Sequence, residues 1–435
     1  MANFDKIKIN GAAYNVKDSA AQQQISAETS AREEAVEQLS QQIGAETNAR
    51  EKAVKQLSQQ ISAEINSITA TIGKITKSVI DYGAKGDGTA DDTEAFMQSL
   101  SEQNTAIVPP GTYILQGIAL TAGQSIYGCG RCTILKAKNG SANPVISVRN
   151  ADGVVIKDMV IDANNTATSG IYMLTTNDCI VDGVRVQNAT DNGFHVDSSW
   201  QNNTFKTNSF INCFSTLNGL SGWYFRNSMD TSMIACDGVS NGLRDQTKAN
   251  LWIEGGTLKV ANCHFWQLND SFGHPRVQNA IVITSGADEC EFVNCNIEGS
   301  QTLLVISAGG VSGEYATRNK FVNCMFYNPF GSFSIYNDGP DTQFCNCSFY
   351  GATSESTVTW NGNFSGDVNG SGLTLNNCFF AGAIVLREFN NMLVNGCICD
   401  QNFATAIPTY YLPTSAGTLR CADGFKTWGF TQADT

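Results

Sequence analysis

A short motif recurs along the last two-thirds of this 435-residue chain: Asn followed by Cys, with apolar residues on both sides. Its six copies are Asn212-Cys213, Asn262-Cys263, Asn294-Cys295, Asn323-Cys324, Asn346-Cys347 and Asn377-Cys378. They lie 50, 32, 29, 23 and 31 residues apart, and a degenerate copy at Ala235-Cys236 divides the first interval. A repeat of about 20–50 residues indicates stacked units, each of which buries its apolar face against its neighbours.

The intervals between these motifs contain short runs of alternating apolar residues bounded by Gly, Asn and Asp, a pattern typical of β-strands. Each interval has room for three short strands, so residues 79–400 are predicted to form an all-β fold, a parallel β-helix of about eleven coils. Residues that face the core lie on both sides of each Asn, at a spacing that the simple alternation of a straight strand does not allow. One residue there must therefore bend the chain. Asn tolerates the left-handed conformation that such a bend requires.

The chain has 15 Cys, most of them at inward positions of the repeat, where a free Cys behaves as a small apolar residue. Close pairs such as Cys129 and Cys132 lack a second pair at zinc spacing, so we expect no metal and no cofactor. The net charge of −13 argues against binding nucleic acid. We see neither a signal peptide nor an apolar run of about 18 residues, and expect synthesis in a reducing cytoplasm without membrane insertion.

Residues 23–76 contain an unrelated repeat, in which 23–40 and 41–58 are nearly identical. Alternating steps of four and three residues mark one narrow stripe: Ile25, Thr29, Arg32, Val36, Leu39, Ile43, Thr47, Arg50, Val54, Leu57, Ile61, Ile65, Ile68, Ile72 and Ile75. This stripe predicts a coiled-coil stem, and Ile at both seam positions near its end favours more than two strands. The alternative is a single surface helix. Residues 1–22 form a short head, and 401–435 a C-terminal cap or trimer contact.

The start of the solenoid, residues 79–125, is predicted to be its N-terminal cap. Asp91 and Glu94 have the spacing of a helix capping box, and Ala95, Phe96 and Leu100 would supply an apolar face that covers the first coil. The Asp-rich segment lacks the ligand spacing of an EF-hand, so we interpret it as structural.

Three sequences within residues 79–128, VIDYGAKGDGTADDTEAF, IVPPGTY and SIYG, closely resemble the N-terminal signature of the pectate-lyase-like superfamily, especially its bacteriophage tailspikes. The resemblance implies a trimeric, right-handed parallel β-helix, preceded by a trimeric coiled coil, that recognises cell-surface polysaccharide and often cleaves it. It also implies a place in the virion tail, with residues 1–22 attached to the phage tail or baseplate.

Aligning the first strands of successive coils gives two columns of outward residues. One column contains Tyr172, His195, Tyr224, Trp252 and Val282, and the other Leu174, Asp197, Arg226, Glu254 and Thr284. Asp197 and Glu254 are candidate catalytic residues, since two strand spacings of about 5 Å bring them near the carboxylate separation of inverting glycosidases. The candidate substrate-binding residues are Tyr172, His195, Trp200, Tyr224, Arg226 and Trp252. Residues 241–249 and 267–279 would form groove walls, and His264 is expected at the surface.

Three functions follow from these observations: a tailspike that hydrolyses a host glycan, a tail fibre that binds glycan or protein without chemistry, and a free polysaccharide-degrading enzyme. The missing secretion signal and the stem argue against the third. The Asp-Arg-Glu column has an alternative reading as a plain stack of surface salt bridges, common in solenoids. A pectate-lyase elimination would need calcium-binding carboxylates, and we see too few Asp for that.

Overall fold

A computed structural model describes residues 6–10, 12–15, 19–75, 77–198, 207–267, 278–300, 302–306, 316–328, 334–337, 339, 341–351, 358–361, 372–381, 384–387, 391–400, 409–411, 418–421 and 431–432. The chain divides into two compact units, Met1–Ile75 and Thr76–Thr435. In the described part of the chain, no helix combines the length and the apolar character needed to cross a membrane.

The first unit consists of an antiparallel strand pair, β1 (Lys6–Ile9) and β2 (Ala12–Asn15), and one long helix, α1 (Ser19–Ile75). The helix begins four residues before the expected start of the stem at residue 23. Most apolar side chains of its predicted seam are exposed: Ile25, Val36, Leu39, Ile43, Val54, Leu57, Ile61 and Ile65. An exposed apolar seam of this length is what a coiled-coil strand presents to its partners, although coiled-coil pairing itself stays a prediction.

The second unit is a parallel β-helix, as predicted. Two 3-10 turns (Val79–Tyr82 and Gly130–Cys132) and a helix, α2 (Thr93–Gln103), accompany its strands. The strands are β3 (Asp87–Asp91), β4 (Thr105–Ile107), β5 (Gly111–Leu115), β6 (Ile118–Leu120), β7 (Ser125–Tyr127), β8 (Thr133–Ala137), β9 (Ile146–Arg149), β10 (Val155–Asp162), β11 (Ile171–Leu174), β12 (Ile180–Gln187), β13 (Phe194–Asp197), β14 (Ser209–Ile211), β15 (Phe214–Thr216), β16 (Trp223–Ile234), β17 (Asp237–Val239), β18 (Ala249–Ala261), β19 (His264–Trp266), β20 (Asn279–Ala287), β21 (Glu291–Val293), β22 (Asn296–Glu298), β23 (Thr302–Ile306), β24 (Lys320–Val322), β25 (Met325–Asn328), β26 (Ser334–Asn337), β27 (Thr342–Cys345), β28 (Ser348–Gly351), β29 (Val358–Asn361), β30 (Gly372–Asn376), β31 (Phe379–Ala381), β32 (Ile384–Arg387), β33 (Asn391–Asn395), β34 (Ile398–Asp400), β35 (Thr409–Tyr411), β36 (Thr418–Cys421) and β37 (Thr431–Gln432).

These strands form three parallel sheets along the solenoid. The first sheet runs from β6 through β9, β11, β13, β16, β18, β20 and β23 to β26. The second sheet includes β7, β14, β21, β24 and β27, and the third includes β8, β15, β17, β19, β22, β25 and β28. The long strands β16 and β18 bend from the first sheet into the second. The exact number of coils stays a prediction.

The Asn-Cys motif forms the bend between the second and third sheets. Each motif Asn has a positive φ, between 51° at Asn212 and 56° at Asn262, which confirms the predicted left-handed conformation. Each motif Cys is buried and free, as expected for reduced core residues. Desolvation raises the pKa of another core thiol, Cys290, to about 12, so it stays protonated. Phenylalanines stack above one another beside the thiols, with ring centroids 4.7–4.9 Å apart from Phe292 to Phe321 to Phe344.

At the N-terminal end, α2 buries Ala95, Phe96 and Leu100, as predicted, and the Phe96 ring meets Tyr113 edge to face at 5.5 Å. The predicted capping box is wrong. The N-cap residue is Asp92, and its carboxylate accepts from the backbone N–H groups of Lys85 and Gly86 instead of capping α2.

Asp91 has a different structural role from the one predicted. Its carboxylate accepts from the Gln116 side chain at 2.6 Å and from Lys138 Nζ at 3.0 Å, and so joins the cap to the first coils. Gly128 of the SIYG sequence is equally structural, because a Cβ there would lie 2.2 Å from the Asp158 carbonyl oxygen.

The parallel ladders extend past residue 400, where the sequence predicted only a cap or trimer contact. Strand β36 pairs with β33, and β35 pairs with both β32 and β37. The segment 401–435 therefore contains further solenoid strands, and its part in any trimer contact stays a prediction.

Candidate functional site

The first sheet brings most of the predicted site residues together. The strand register confirms both columns derived from the sequence, because Tyr172, His195, Tyr224 and Trp252 are successive neighbours, as are Leu174, Asp197, Arg226 and Glu254. We call the following residues the first-sheet patch: Tyr172, His195, Asp197, Tyr224, Arg226, Trp252 and Glu254. Trp200 lies outside the described residues, and so do residues 268–277 of one expected groove wall.

Asp197 and Arg226 form a two-point ion pair across adjacent strands. Arg226 Nε donates to Asp197 Oδ1 at 2.9 Å, and the guanidinium Nη2 donates to Asp197 Oδ2. The Asp197 side chain is only 8% exposed, whereas that of Arg226 is 46% exposed. Hydrogen bonding to Asp197 raises the pKa of Arg226. Asp197 thus occupies an outward column but is largely enclosed, because the guanidinium covers it.

Glu254 also has a partner within the first-sheet patch. The Tyr224 hydroxyl donates to Glu254 Oε2 at 2.6 Å. Burial raises the pKa of Tyr224, and the hydrogen bond to Glu254 raises it further, so the phenol keeps its proton. Asp197 and Glu254 lie two strand spacings apart, about 10 Å at the backbone, with Arg226 between them.

Three aromatic side chains of the patch, Tyr172, His195 and Tyr224, form a column of edge-to-face contacts. Ring centroids are 4.8 Å apart between Tyr172 and His195 and 4.9 Å apart between His195 and Tyr224, at interplanar angles of 80° and 90°. These neighbouring rings are therefore nearly perpendicular to each other, unlike the parallel stack of phenylalanines in the core. Burial lowers the pKa of His195, which favours its neutral form.

Two cations that the sequence analysis did not select lie over the ends of this aromatic column. The Arg149 guanidinium carbon is 4.5 Å from the centroid of the Tyr172 ring, and Lys248 Nζ is 4.6 Å from that of Trp252. The sequence could have indicated Arg149, because it is the last residue of β9 and the register neighbour of Leu174, which belongs to the second column. Lys248 lies in a connection, where strand alignment gives no register.

Trp252 has one further feature. Its indole Nε1–H is buried and has no acceptor among the residues that the structure describes. A buried donor without a partner is costly, which marks Trp252 as a position where the packing of the patch is not complete among the described residues. The patch thus contains two partnered carboxylates, and two cations beside it lie over its aromatic rings. No group of three His, Cys, Asp or Glu side chains in the described ranges is arranged to hold a metal ion.

Comparison with known families identifies one that matches this chain. The family model described as "Rhamnogalacturonase A/epimerase, pectate lyase-like" matches residues 76–305, which is more than half of the chain and includes the whole first-sheet patch. We find no curated protein whose sequence matches.

Solved structures share the fold at low sequence identity. The tailspike protein gp49 from Pseudomonas phage LKA1 is 12% identical, with a TM-score of 0.55 over 80% of this chain and 81% of gp49. ORF18 of Geobacillus virus E2 is 17% identical, with a TM-score of 0.54 over 74% of this chain; the match spans 63% of ORF18. The A-module of the mannuronan C-5 epimerase AlgE6 from Azotobacter vinelandii is 14% identical, with a TM-score of 0.50 over 83% of this chain and all of the module.

Proposed function

This chain belongs to the rhamnogalacturonase A/epimerase, pectate lyase-like family, and on that basis we propose that it is a phage or prophage tailspike that binds polysaccharide on the host cell surface. The fold shared with a phage tailspike supports this proposal, as does the long helix with its apolar seam. In this proposal the stem holds three copies together and residues 1–22 attach the trimer to the phage tail or baseplate.

The first-sheet patch is the proposed glycan site. The observation that carries this assignment is the column of outward aromatic rings with a cation over each end, Arg149 over Tyr172 and Lys248 over Trp252. The patch thus offers positive charge at both ends. These groups fit an acidic polysaccharide, whose carboxylates and hydroxyls would accept from them.

Hydrolysis by Asp197 and Glu254 is the second candidate function. Their separation of about 10 Å at the backbone is compatible with the roughly 6.5–9.5 Å between the carboxyl groups of inverting glycosidases. The two-point pair with Arg226 argues in the other direction, because it holds Asp197 in a covered position. Binding without cleavage is therefore the function that the geometry supports best.

The test of binding uses envelope polysaccharide purified from cells that the full-length protein binds. Trp252→Ala is expected to weaken binding about tenfold, since truncating an anchoring aromatic residue commonly costs more than 1 kcal/mol. Tyr127→Ala, an outward residue of the second sheet, is the matched control and should bind like the wild type. Unchanged affinity of Trp252→Ala would place the site elsewhere.

New reducing ends in the same polysaccharide distinguish cleavage from binding. If the wild type produces them, Asp197→Asn and Glu254→Gln should each abolish their formation. Cleavage that survives both substitutions would move the catalytic site, and a wild type that binds without releasing fragments would exclude hydrolysis.

A further inference from the structure

The third sheet carries a second group of polar and aromatic side chains, on a face separate from the first-sheet patch. Asp237 on β17 is the register neighbour of His264 on β19, and His264 is the neighbour of Asn296 on β22. Glu298 follows Asn296 by two residues and so shares its side of the strand. Three titratable groups thus meet on adjacent strands.

His264 lies between the two carboxylates. Its Nδ1 is 3.8 Å from Asp237 Oδ1, and its Nε2 is 3.2 Å from Glu298 Oε1. Although Nε2 is this close to Glu298, it makes no hydrogen bond to any described residue. The imidazole and the Glu298 carboxylate are therefore poorly aligned for one. The imidazole also stacks on the Trp266 ring at 5.5 Å with an interplanar angle of 18°. Burial raises the pKa of Asp237, and the charge of His264 acts in the opposite direction.

Aromatic side chains continue this face along the solenoid. Tyr327 is the register neighbour of Glu298, and Tyr350 is the neighbour of Tyr327. The Tyr327 and Tyr350 rings are 6.4 Å apart and nearly perpendicular. We call Trp266, Glu298, Tyr327 and Tyr350 the third-sheet strip. It spans three strand spacings, about 14 Å, and its side chains are all half-buried.

We propose that the third-sheet strip, with His264 and Asp237 beside it, is a second glycan site that takes neutral oligosaccharides. Sugar rings have apolar C–H faces that pack on aromatic side chains, and hydroxyl groups that donate to carboxylates. Glu298 lies within the aromatic strip, so one bound sugar chain could meet both kinds of group. The carboxylates of Asp237 and Glu298 would repel an acidic chain, the opposite of the preference expected at the first-sheet patch.

A second copy of the chain is a poorer occupant of this face. The centre of a protein–protein interface is depleted in Asp and Glu, whereas the third-sheet strip has carboxylates in and beside it. The second sheet offers a better surface for such a contact, an outward column without charge: Ile211, Ile234, Ala261, Val293 and Val322.

The proposal is tested on the full-length protein by saturation-transfer NMR with two sets of probes at millimolar concentration. The neutral set is maltohexaose, cellohexaose, mannohexaose and chitohexaose, and the acidic probe is hexagalacturonate. At least one neutral hexamer should bind, and Trp266→Ala and Tyr327→Ala should each weaken its binding about tenfold. Trp266→Phe keeps a flat ring and should stay within about threefold of the wild type, and Tyr127→Ala should not change binding.

The outcomes separate this site from the first-sheet patch. No contact between the wild type and any neutral hexamer would overturn the proposal, and so would binding that Trp266→Ala and Tyr327→Ala leave intact. A change of oligomeric mass in either Ala variant, measured by light scattering, would assign the face to a subunit contact instead. Because Trp252→Ala reports on envelope-polysaccharide binding at the first sheet, either site can fail alone.

Discussion

At the scale of single residues, the ion pair between Asp197 and Arg226 shows how the stacking of coils can enclose an outward-facing charge. Asp197 and Arg226 are register neighbours, so their side chains leave adjacent strands about 5 Å apart. The guanidinium fork covers the carboxylate and leaves it 8% exposed. Removing one partner of such a pair costs more than removing both, because the other charge is then left uncompensated in a partly desolvated place.

Arg226→Met is accordingly expected to lower the free energy of unfolding by about 1–3 kcal/mol, a range reduced from that of a fully buried pair because Arg226 is partly exposed. The double variant Asp197→Asn, Arg226→Met should recover most of this loss. Denaturant unfolding of the four proteins in this cycle measures the coupling. Purely additive effects would show that the two side chains contribute no interaction energy to stability.

At the scale of elements, the bend between the second and third sheets depends on one left-handed residue per coil. Asn323, for example, has a φ of 54° and an exposed side chain, and its N–H donates to the Cys345 carbonyl oxygen. Residues with a Cβ are disfavoured in this region by roughly 1–2 kcal/mol, from which Asn is partly exempt and Gly wholly so. The Asn of the motif is thus needed for the backbone conformation of the bend, and the buried Cys fills the space beside it.

Substitutions at Asn323 separate the backbone effect from any side-chain role. Asn323→Ala is expected to lower the free energy of unfolding by about 1 kcal/mol, whereas Asn323→Gly should be close to the wild type. Gln343→Ala, at an exposed position of the neighbouring strand β27, serves as the control and should have little effect. Equal destabilisation by Ala and Gly would mean that the Asn side chain itself is what matters.

At the scale of the whole molecule, the two units differ in how they bury their apolar side chains. The β-helix stacks its apolar residues in one core shared by all three sheets, and it needs no other chain to do so. The helix α1 has an apolar seam but no core, and it leaves Ile43, Leu57 and Ile65 more than half exposed. A helix of this kind gains most of its stability by packing against other helices.

The proposed trimer should therefore have about three times the 46.7 kDa mass of one chain by light scattering. Ile65→Asp places a charge in the Ile-rich end of the seam and should shift the protein toward monomer. The β-sheet circular dichroism signal should stay the same, because the residue belongs to the first unit. A wild type that is monomeric at micromolar concentration contradicts the stem proposal, and the control Glu64→Gln should leave the mass unchanged.

Much of the fold could be predicted from the sequence because its determinants are local and repeated. The motif Asn positions give the bends, and the alternation along β13, β16 and β18 gives the inward side. Aligning the apolar pattern of these successive strands gives the register that places Asp197, Arg226 and Glu254 in one column. The helix capping box failed because Asp91 and Asp92 have competing partners elsewhere in the chain, among them Lys85 and Gln116. Sequence spacing does not record such competition.

The sequence by itself therefore determined which side chains face outward from each sheet, since strand alternation leaves only two choices per residue. Only the tertiary structure decided how those side chains pair. The cover of Asp197 by Arg226 and the meeting of Asp237, His264 and Glu298 depend on rotamers and on contacts between coils more than 20 residues apart. The cation over Trp252 depends on the rotamer of Lys248, in the connection just before the same strand. The repeat fixes the positions of these residues, but the contacts that make a site form between coils, where no local pattern in the sequence constrains them.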